Sequence, residues 1–340
     1  MSGVETHACP RCELLFLSRA EMSEHLRVDH GVRLGDDEHD LVTEAVATEA
    51  ERPRDMMTVA LDPASAPPAA AVAGPRIARQ AGMGVELLTV AEPGISRTTI
   101  DSFLRARQRA IEVPGAVPAG RVVLDERGTP AERIVDHANN ASVAMLCLST
   151  RASSAVGELV LGSVAEEVIR HAPVPVLLFG PHVPAEAGEI SRVVVCVDGS
   201  EHAERAVEAA IGLAPRLHAE LFITQVLEPS TTGPSDVAET AYLSRLAARA
   251  PSLDIAWDTL HSRHPGRAIV EFADRVPGTL IVMGTHGRRG LRRLVMGSVA
   301  LEVVRHAHSP VVVLPPTMVG ADGTEDRVSE AALASNGAGA

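Results

Sequence analysis

A chain of 340 residues, 46% hydrophobic and 22% charged, is long enough for two domains with cores of their own and too apolar to remain disordered. Its net charge of -13 points away from nucleic acid or an anionic membrane surface as a partner for the whole chain, and with no lysine present every fixed cation is arginine. No run approaches about eighteen consecutive apolar residues, and the start "MSGVETHACPRCE" lacks the basic-then-apolar layout of a secretory signal, so the expected location is cytoplasmic, away from membranes.

The first chemistry lies in "HACPRCELLFLSRAEMSEHLRVDH", where Cys9 and Cys12 are separated by two residues, His25 follows after twelve more, and His30 after another four. Two thiolates and two imidazoles suit a tetrahedral Zn²⁺, which makes Cys9, Cys12, His25 and His30 the candidate ligands. Phe16 and Met22 fall where a miniature core would need apolar groups. The pattern resembles the C2H2 zinc finger over residues 1–34, which implies a small ββα unit, its helix starting near Arg19 and its fold dependent on the metal. In a DNA-reading finger the base-facing positions would be Ser18, Glu21 and Glu24. Two carboxylates there repel phosphates, and residues 1–34 carry four arginines against five acids. The finger is therefore expected to be a structural or protein-contact module with an unidentified protein partner, with a DNA-binding regulator as the alternative. Residues 35–54 are acidic, bounded by Gly and Pro, and read as a solvated linker.

The remainder repeats itself. Residues 56–93 align without a gap on 192–229, placing Asp62 on Asp198 and Glu92-Pro93 on Glu228-Pro229. Farther on, "GTPAERIVDHANNASVAMLCLS" matches "RHPGRAIVEFADRVPGTLIVMG", and "LGSVAEEVIRHAPVPVLLF" matches "MGSVALEVVRHAHSPVVVL". Two copies of one domain thus cover 55–182 and 190–318, followed by a flexible tail at 319–340. Within each copy, short β-branched runs alternate with helix-length amphipathic runs, the pattern of an α/β fold. Two tandem, open, parallel five-stranded sheets with helices on both faces are expected. Strands of the second copy should lie near 192–197, 220–226, 254–260, 279–283 and 310–314. Cys147 and Cys196 fall inside such apolar runs and read as buried thiols without chemistry.

Gly284, Gly287, Gly297 and Ser298 in "MGTHGRRGLRRLVMGSVALEVV" read as G-x2-G-x9-G-S, a loop that follows a strand and ends where a helix begins. Glycines let backbone amides approach an anion, and a helix start adds unpaired amides and a positive dipole end, so phosphate is the expected occupant. The alternative is a turn at Gly297 and a helix cap at Ser298. With "VDGS" after the first strand and "HSPVVVLP" at the end, this loop resembles that of the universal stress proteins in their tandem-domain form. The resemblance implies ATP, with Mg²⁺, held by Asp198 after the first strand, by backbone at Val226, and by Gly284, Gly287, Gly297, Ser298 and Val299, with Met283 flanking the ribose. Arg288, Arg289, Arg292 and Arg293 lie within the loop; Arg288 is taken as a phosphate contact, since guanidinium forks match phosphate oxygens. In the first copy Ser149 and Ala152 replace the first two glycines and Pro63 removes a donor, the mark of a degenerate site. The resemblance also implies pairing of the two copies through "VPVLLF" (174–179) and "SPVVVL" (309–314), runs that would otherwise leave open sheet edges. A homodimer, or independent domains on "PHVPAEAGEIS", are the alternatives.

A nucleotide-binding stress-response regulator is the expected function, not an enzyme. Hydrolysis would need metal ligands and a group orienting water, and beyond His286 in the loop no catalytic set can be named. An ATP-hydrolysing enzyme, and a zinc-dependent adaptor with vestigial nucleotide sites, are the alternatives.

Overall fold

The computed structural model describes residues 7–8, 14–16, 25, 55–63, 69–91, 95–111, 120–124, 128–150, 161–185, 187–229, 236–285 and 296–319. A short antiparallel hairpin, β1 (His7–Ala8) and β2 (Leu14–Phe16), comes first. The first repeat follows as β3 (Met56–Ala60), α1 (Ala69–Gln80), β4 (Gly84–Val90), α2 (Arg97–Ile111), β5 (Gly120–Leu124), α3 (Pro130–Ala138), β6 (Val143–Ser149), α4 (Ser163–His171) and β7 (Val176–Phe179). The second runs β8 (Arg192–Val197), α5 (Glu201–Arg216), β9 (Glu220–Leu227), α6 (Asp236–Ala247), β10 (Ile255–His261), α7 (Pro265–Ala273), β11 (Thr279–Gly284), α8 (Ser298–His306) and β12 (Val311–Leu314), closed by a 3₁₀ turn at Pro316–Val319. All five strands expected in the second repeat form, because near-continuous apolar runs such as "RVVVCV" suit a sheet covered on both faces. Capping residues set the helix starts: Thr129 and Glu132 cap α3 reciprocally, and the Ser200 side chain accepts from the Ala203 amide to start α5.

The two separate sheets expected from sequence are in fact one. Its order is β1-β2-β5-β4-β3-β6-β7-β12-β11-β8-β9-β10, twelve strands in all. Strands within each repeat are parallel, but β7 and β12 pair antiparallel, with Val311 opposite Leu178, Val312 opposite Leu177 and Val313 opposite Val176. The reason is burial. Both strands are buried along their whole length, and either one left as an edge would offer unpaired amides to other chains. The pairing expected from sequence thus forms. An antiparallel junction with mirrored strand order is that of a two-fold axis normal to the sheet, so the carboxyl edges of the two repeats open in opposite directions. Such an axis keeps helices on their own face: α1, α2, α5 and α6 share one core, and α3, α4, α7 and α8 the other.

Polar contacts tie the seam further. Gln80 donates to the carbonyls of Ile190 (2.6 Å) and Leu217 (2.7 Å) and accepts from the Ile190 amide (2.8 Å), while Arg216 donates to the Ala81 carbonyl (2.9 Å) and pairs with Asp55 (3.0 Å). At Gly180, just beyond β7, a Cβ would overlap the Val304 carbonyl of α8. These bonds exclude independent domains on a loose linker. Val312→Pro, in β12 between β7 and β11, removes a ladder donor. It is expected to cost a few kcal/mol and to lower the melting temperature by roughly 5–10 °C. Small-angle scattering should show a larger radius of gyration; an unshifted transition with an unchanged envelope would contradict the seam.

The hairpin is joined to the same sheet. Leu14 and Leu15 pair in parallel with Arg121 and Val122 of β5, which covers the outer edge of the first repeat. The opposite edge, β10, carries the exposed Trp257. Of the four candidate zinc ligands, His25 is helical and buried, whereas Cys9, Cys12 and His30 lie outside the described residues. Cys147 and Cys196 are buried and free, and burial pushes both thiols up, Cys196 to about 12.

One departure from the repeat symmetry sits in the core. Glu86 on β4 accepts from the Thr58 hydroxyl (3.0 Å) and meets His137 Nε2 at 2.6 Å, with both side chains buried. At the equivalent positions of the second repeat stand Val194, Phe222 and Phe272. There the two rings pack with centroids 5.0 Å apart, and the Arg192 guanidinium lies 4.6 Å from each. One fold position thus holds a polar triad in one half and an aromatic pair under a cation in the other.

Candidate functional site

At the carboxyl edge of the second repeat, three adjacent parallel strands end side by side. Val226 lies near the end of β9, Asp198 directly follows β8, and Gly284 ends β11, as the registers Val197 with Gln225 and Met283 with Cys196 require. Beyond β8 the chain turns into α5 on one face, and beyond β11 into α8 on the other. The strands part their connections here, leaving the crevice in which open α/β sheets take ligands.

Each side of the crevice is built locally. Gly199 adopts φ +83, a left-handed turn that sends the chain from β8 into α5. Asp198 Oδ1 accepts from the Ser200 amide (3.1 Å) and hydroxyl (2.7 Å), which holds the half-buried carboxylate at the rim. Across from it, α8 begins at the N-cap Gly297 with no side-chain cap, so Ser298 is the first helical residue and does not cap the helix as the alternative reading had it. Helix α5, by contrast, has its Ala203 amide taken by the Ser200 cap, so α8 is the less capped of the two helix starts. Ser298 is exposed and Val299 half-buried, while Met283 is buried beneath α7 and α8. Gly287 and Arg288 lie outside the described residues.

Two residues that sequence reasoning passed over stand in the site. His202, in the first turn of α5, fills the space a Cβ on Gly284 would take. Its Nε2 accepts from the Thr285 amide at 3.0 Å and lies 3.1 Å from the Thr285 hydroxyl. The buried Thr285 is held by the Leu314 carbonyl (3.2 Å to its hydroxyl), and its own carbonyl accepts from the Gly297 amide at 2.6 Å. This chain of bonds closes the base of the loop between 285 and 297. Tyr242 of α6, the chain's one tyrosine, lies beside the Gly199 backbone. Burial first, then the Glu204 and Asp198 carboxylates, push its hydroxyl up to about 12, so it remains a donor at neutral pH. Neither residue carried a sequence signal, since a lone His after "DGSE" or a Tyr on a helix is more often surface or core.

The first repeat differs at this edge. Ser149 stands in place of Gly284, and its hydroxyl accepts from the Ala70 amide of α1 at 3.2 Å. The N-cap Gly162 of α4 is retained.

Comparison with known proteins agrees with this architecture. The Universal stress protein family model matches twice, over residues 54–180 and 189–315. Universal stress protein MJ0531 of Methanocaldococcus jannaschii is 31% identical over 137 residues, 36% of this chain and 81% of that protein. Universal stress protein Rv2005c of Mycobacterium tuberculosis is 31% identical over 198 residues, 54% of this chain and 65% of its own length. Among solved structures, a universal stress protein from Archaeoglobus fulgidus DSM 4304 has the same fold, with TM-score 0.55 and 21% identity, covering 78% of this chain and 99% of that one.

Proposed function

Because the chain belongs to the universal stress protein family, matched in both halves, we propose that it is a nucleotide-responsive regulator whose second repeat holds ATP with Mg²⁺. The observation that carries this reading is the alignment of Val226, Asp198 and Gly284 at three neighbouring strand ends beside the uncapped start of α8. In this reading α8 amides at Ser298 and Val299 take phosphate, Gly287 and Arg288 follow in the loop, and Asp198 contacts the nucleotide at its other end. The first repeat, with Ser149 in place of the glycine, serves as the structural partner of the second. Nucleotide released from the purified protein by mild denaturation, together with calorimetric titration of ATP, tests the reading. About one ATP per chain is expected, lost in Asp198→Ala; a chain with no nucleotide and no ATP heat would leave the repeats a scaffold. Phosphate release is expected to stay at background.

The same reading assigns one zinc to Cys9, Cys12, His25 and His30. The hairpin β1/β2, whose connecting residues 9–13 include both cysteines, and the buried His25 fit that group. Zinc there supplies folding energy to a segment too small to hold itself, and the face it stabilises pairs with β5. One zinc is expected at this group, so Cys12→Ala should lower the zinc content found by metal analysis by about one equivalent per chain; an unchanged content overturns the assignment.

A further inference from the structure

The two-fold seam has two equivalent corners, where the end of one repeat's last helix meets the chain leaving the other repeat's last strand. At one corner stand His171 on α4, Pro173, and Thr317, whose hydroxyl donates to the Ala172 carbonyl. At the other, the same positions hold His306 at the end of α8, His308, and His182 just beyond β7. The His182 ring lies 5.6 Å from that of His308 and 6.5 Å from that of His306, centroid to centroid. Only this corner gathers three imidazoles.

We propose that His182, His306 and His308 form a transition-metal site at the seam, taking Zn²⁺, Ni²⁺ or Cu²⁺, the ions suited to imidazole. The orientation of His308 carries the argument beyond proximity. Its Nδ1 donates to Asp274 Oδ2 at 2.9 Å, and its backbone amide meets Asp274 Oδ1 at 3.3 Å. In the neutral ring this leaves the lone pair on Nε2, the tautomer and carboxylate support found behind metal-bound histidines. The carbonyl end of α8 adds a negative potential that favours a cation. Two imidazoles on one tetrahedral ion place their centroids roughly 5 Å apart, given metal–nitrogen bonds of about 2 Å. The 5.6 Å pair is already close to this, and the 6.5 Å pair is more open. Among the described residues no three such groups converge on one point as they stand. His182 and His306, both exposed and not packed in a core, can turn their side chains toward a shared ion. Because His182 belongs to one repeat and the other two ligands to the second, the metal would clamp the seam.

The site is independent of the finger and of the nucleotide crevice, and its test removes the finger first. Calorimetric titration of Zn²⁺ into full-length Cys12→Ala is expected to show one equivalent of binding. Adding His182→Ala and His308→Ala should abolish it, while adding His171→Ala, at the opposite corner, should leave it unchanged. Asp274→Asn should weaken it roughly 10- to 100-fold, an effect that loose chelation by surface histidines would not show. Cu²⁺ bound to the same protein should give an electron spin resonance spectrum with nitrogen coupling from more than one imidazole. No heat in Cys12→Ala, or equal binding after loss of His182 and His308, overturns the proposal.

Discussion

Gly284→Val is expected to remove ATP binding from the second repeat, with affinity falling by at least a hundredfold while the fold persists. A Cβ on Gly284 meets the His202 ring, and the branched valine would drive that ring away. His202 Nε2 is the nearer acceptor for the Thr285 amide (3.0 Å), so its displacement leaves that amide only its longer bond to the Leu314 carbonyl (3.4 Å), next to the bond that closes the loop, Gly297 amide to Thr285 carbonyl. Losing the better of two hydrogen bonds costs about 0.5–1.5 kcal/mol, roughly two- to twelvefold in a binding constant, and the valine's own bulk in the crevice adds the rest. His202→Ala separates the two effects. It keeps the space and loses the acceptor, so it should weaken ATP several-fold without abolishing it, and His202→Asn should recover part of the loss. Circular dichroism and the melting temperature distinguish misfolding from loss of the site. If both Gly284→Val and His202→Ala bind ATP as the parent does, the nucleotide lies elsewhere.

The second large effect is expected at the polar triad of the first repeat. Glu86→Ala takes the hydrogen-bond partner from both Thr58 and His137, and His137→Ala takes one from Glu86, so each should cost about 1–3 kcal/mol, read from chemical denaturation midpoints. Among the described residues His137 Nδ1 already lacks a hydrogen-bond partner, so the triad is not fully satisfied even when intact. Replacing all three groups with apolar ones of similar volume, Thr58→Val with Glu86→Met and His137→Leu, should be neutral or stabilising, because the desolvation of the pair is relieved along with its attraction. The second repeat demonstrates that the position accepts an apolar solution, with Phe222 packed on Phe272. Equal destabilisation by the single and the triple replacements would mean that the triad contributes more than packing can restore.

Much of this architecture was legible before any coordinates. The gapless match of 56–93 on 192–229 set the two repeats. The apolar runs set their strands, since this rests on a period along the chain. The meeting of the repeats through "VPVLLF" and "SPVVVL" was also expected, because both runs are too apolar to be left as edges, though their fusion into one continuous sheet was not. Three further things were not. That β2 pairs with β5 depends on which sheet edge the hairpin reaches, about a hundred residues away in the chain. That His202 occupies the missing Cβ of Gly284 depends on how α5 packs across β11, and no spacing between residues 202 and 284 encodes it. The histidines at 182, 306 and 308 likewise meet only because an antiparallel junction brings the end of β7 beside the end of α8. Sequence by itself determined the units and their periodicity; tertiary structure alone decided which distant side chains share a surface, because that depends on the rotation relating the repeats and not on any local preference of the chain.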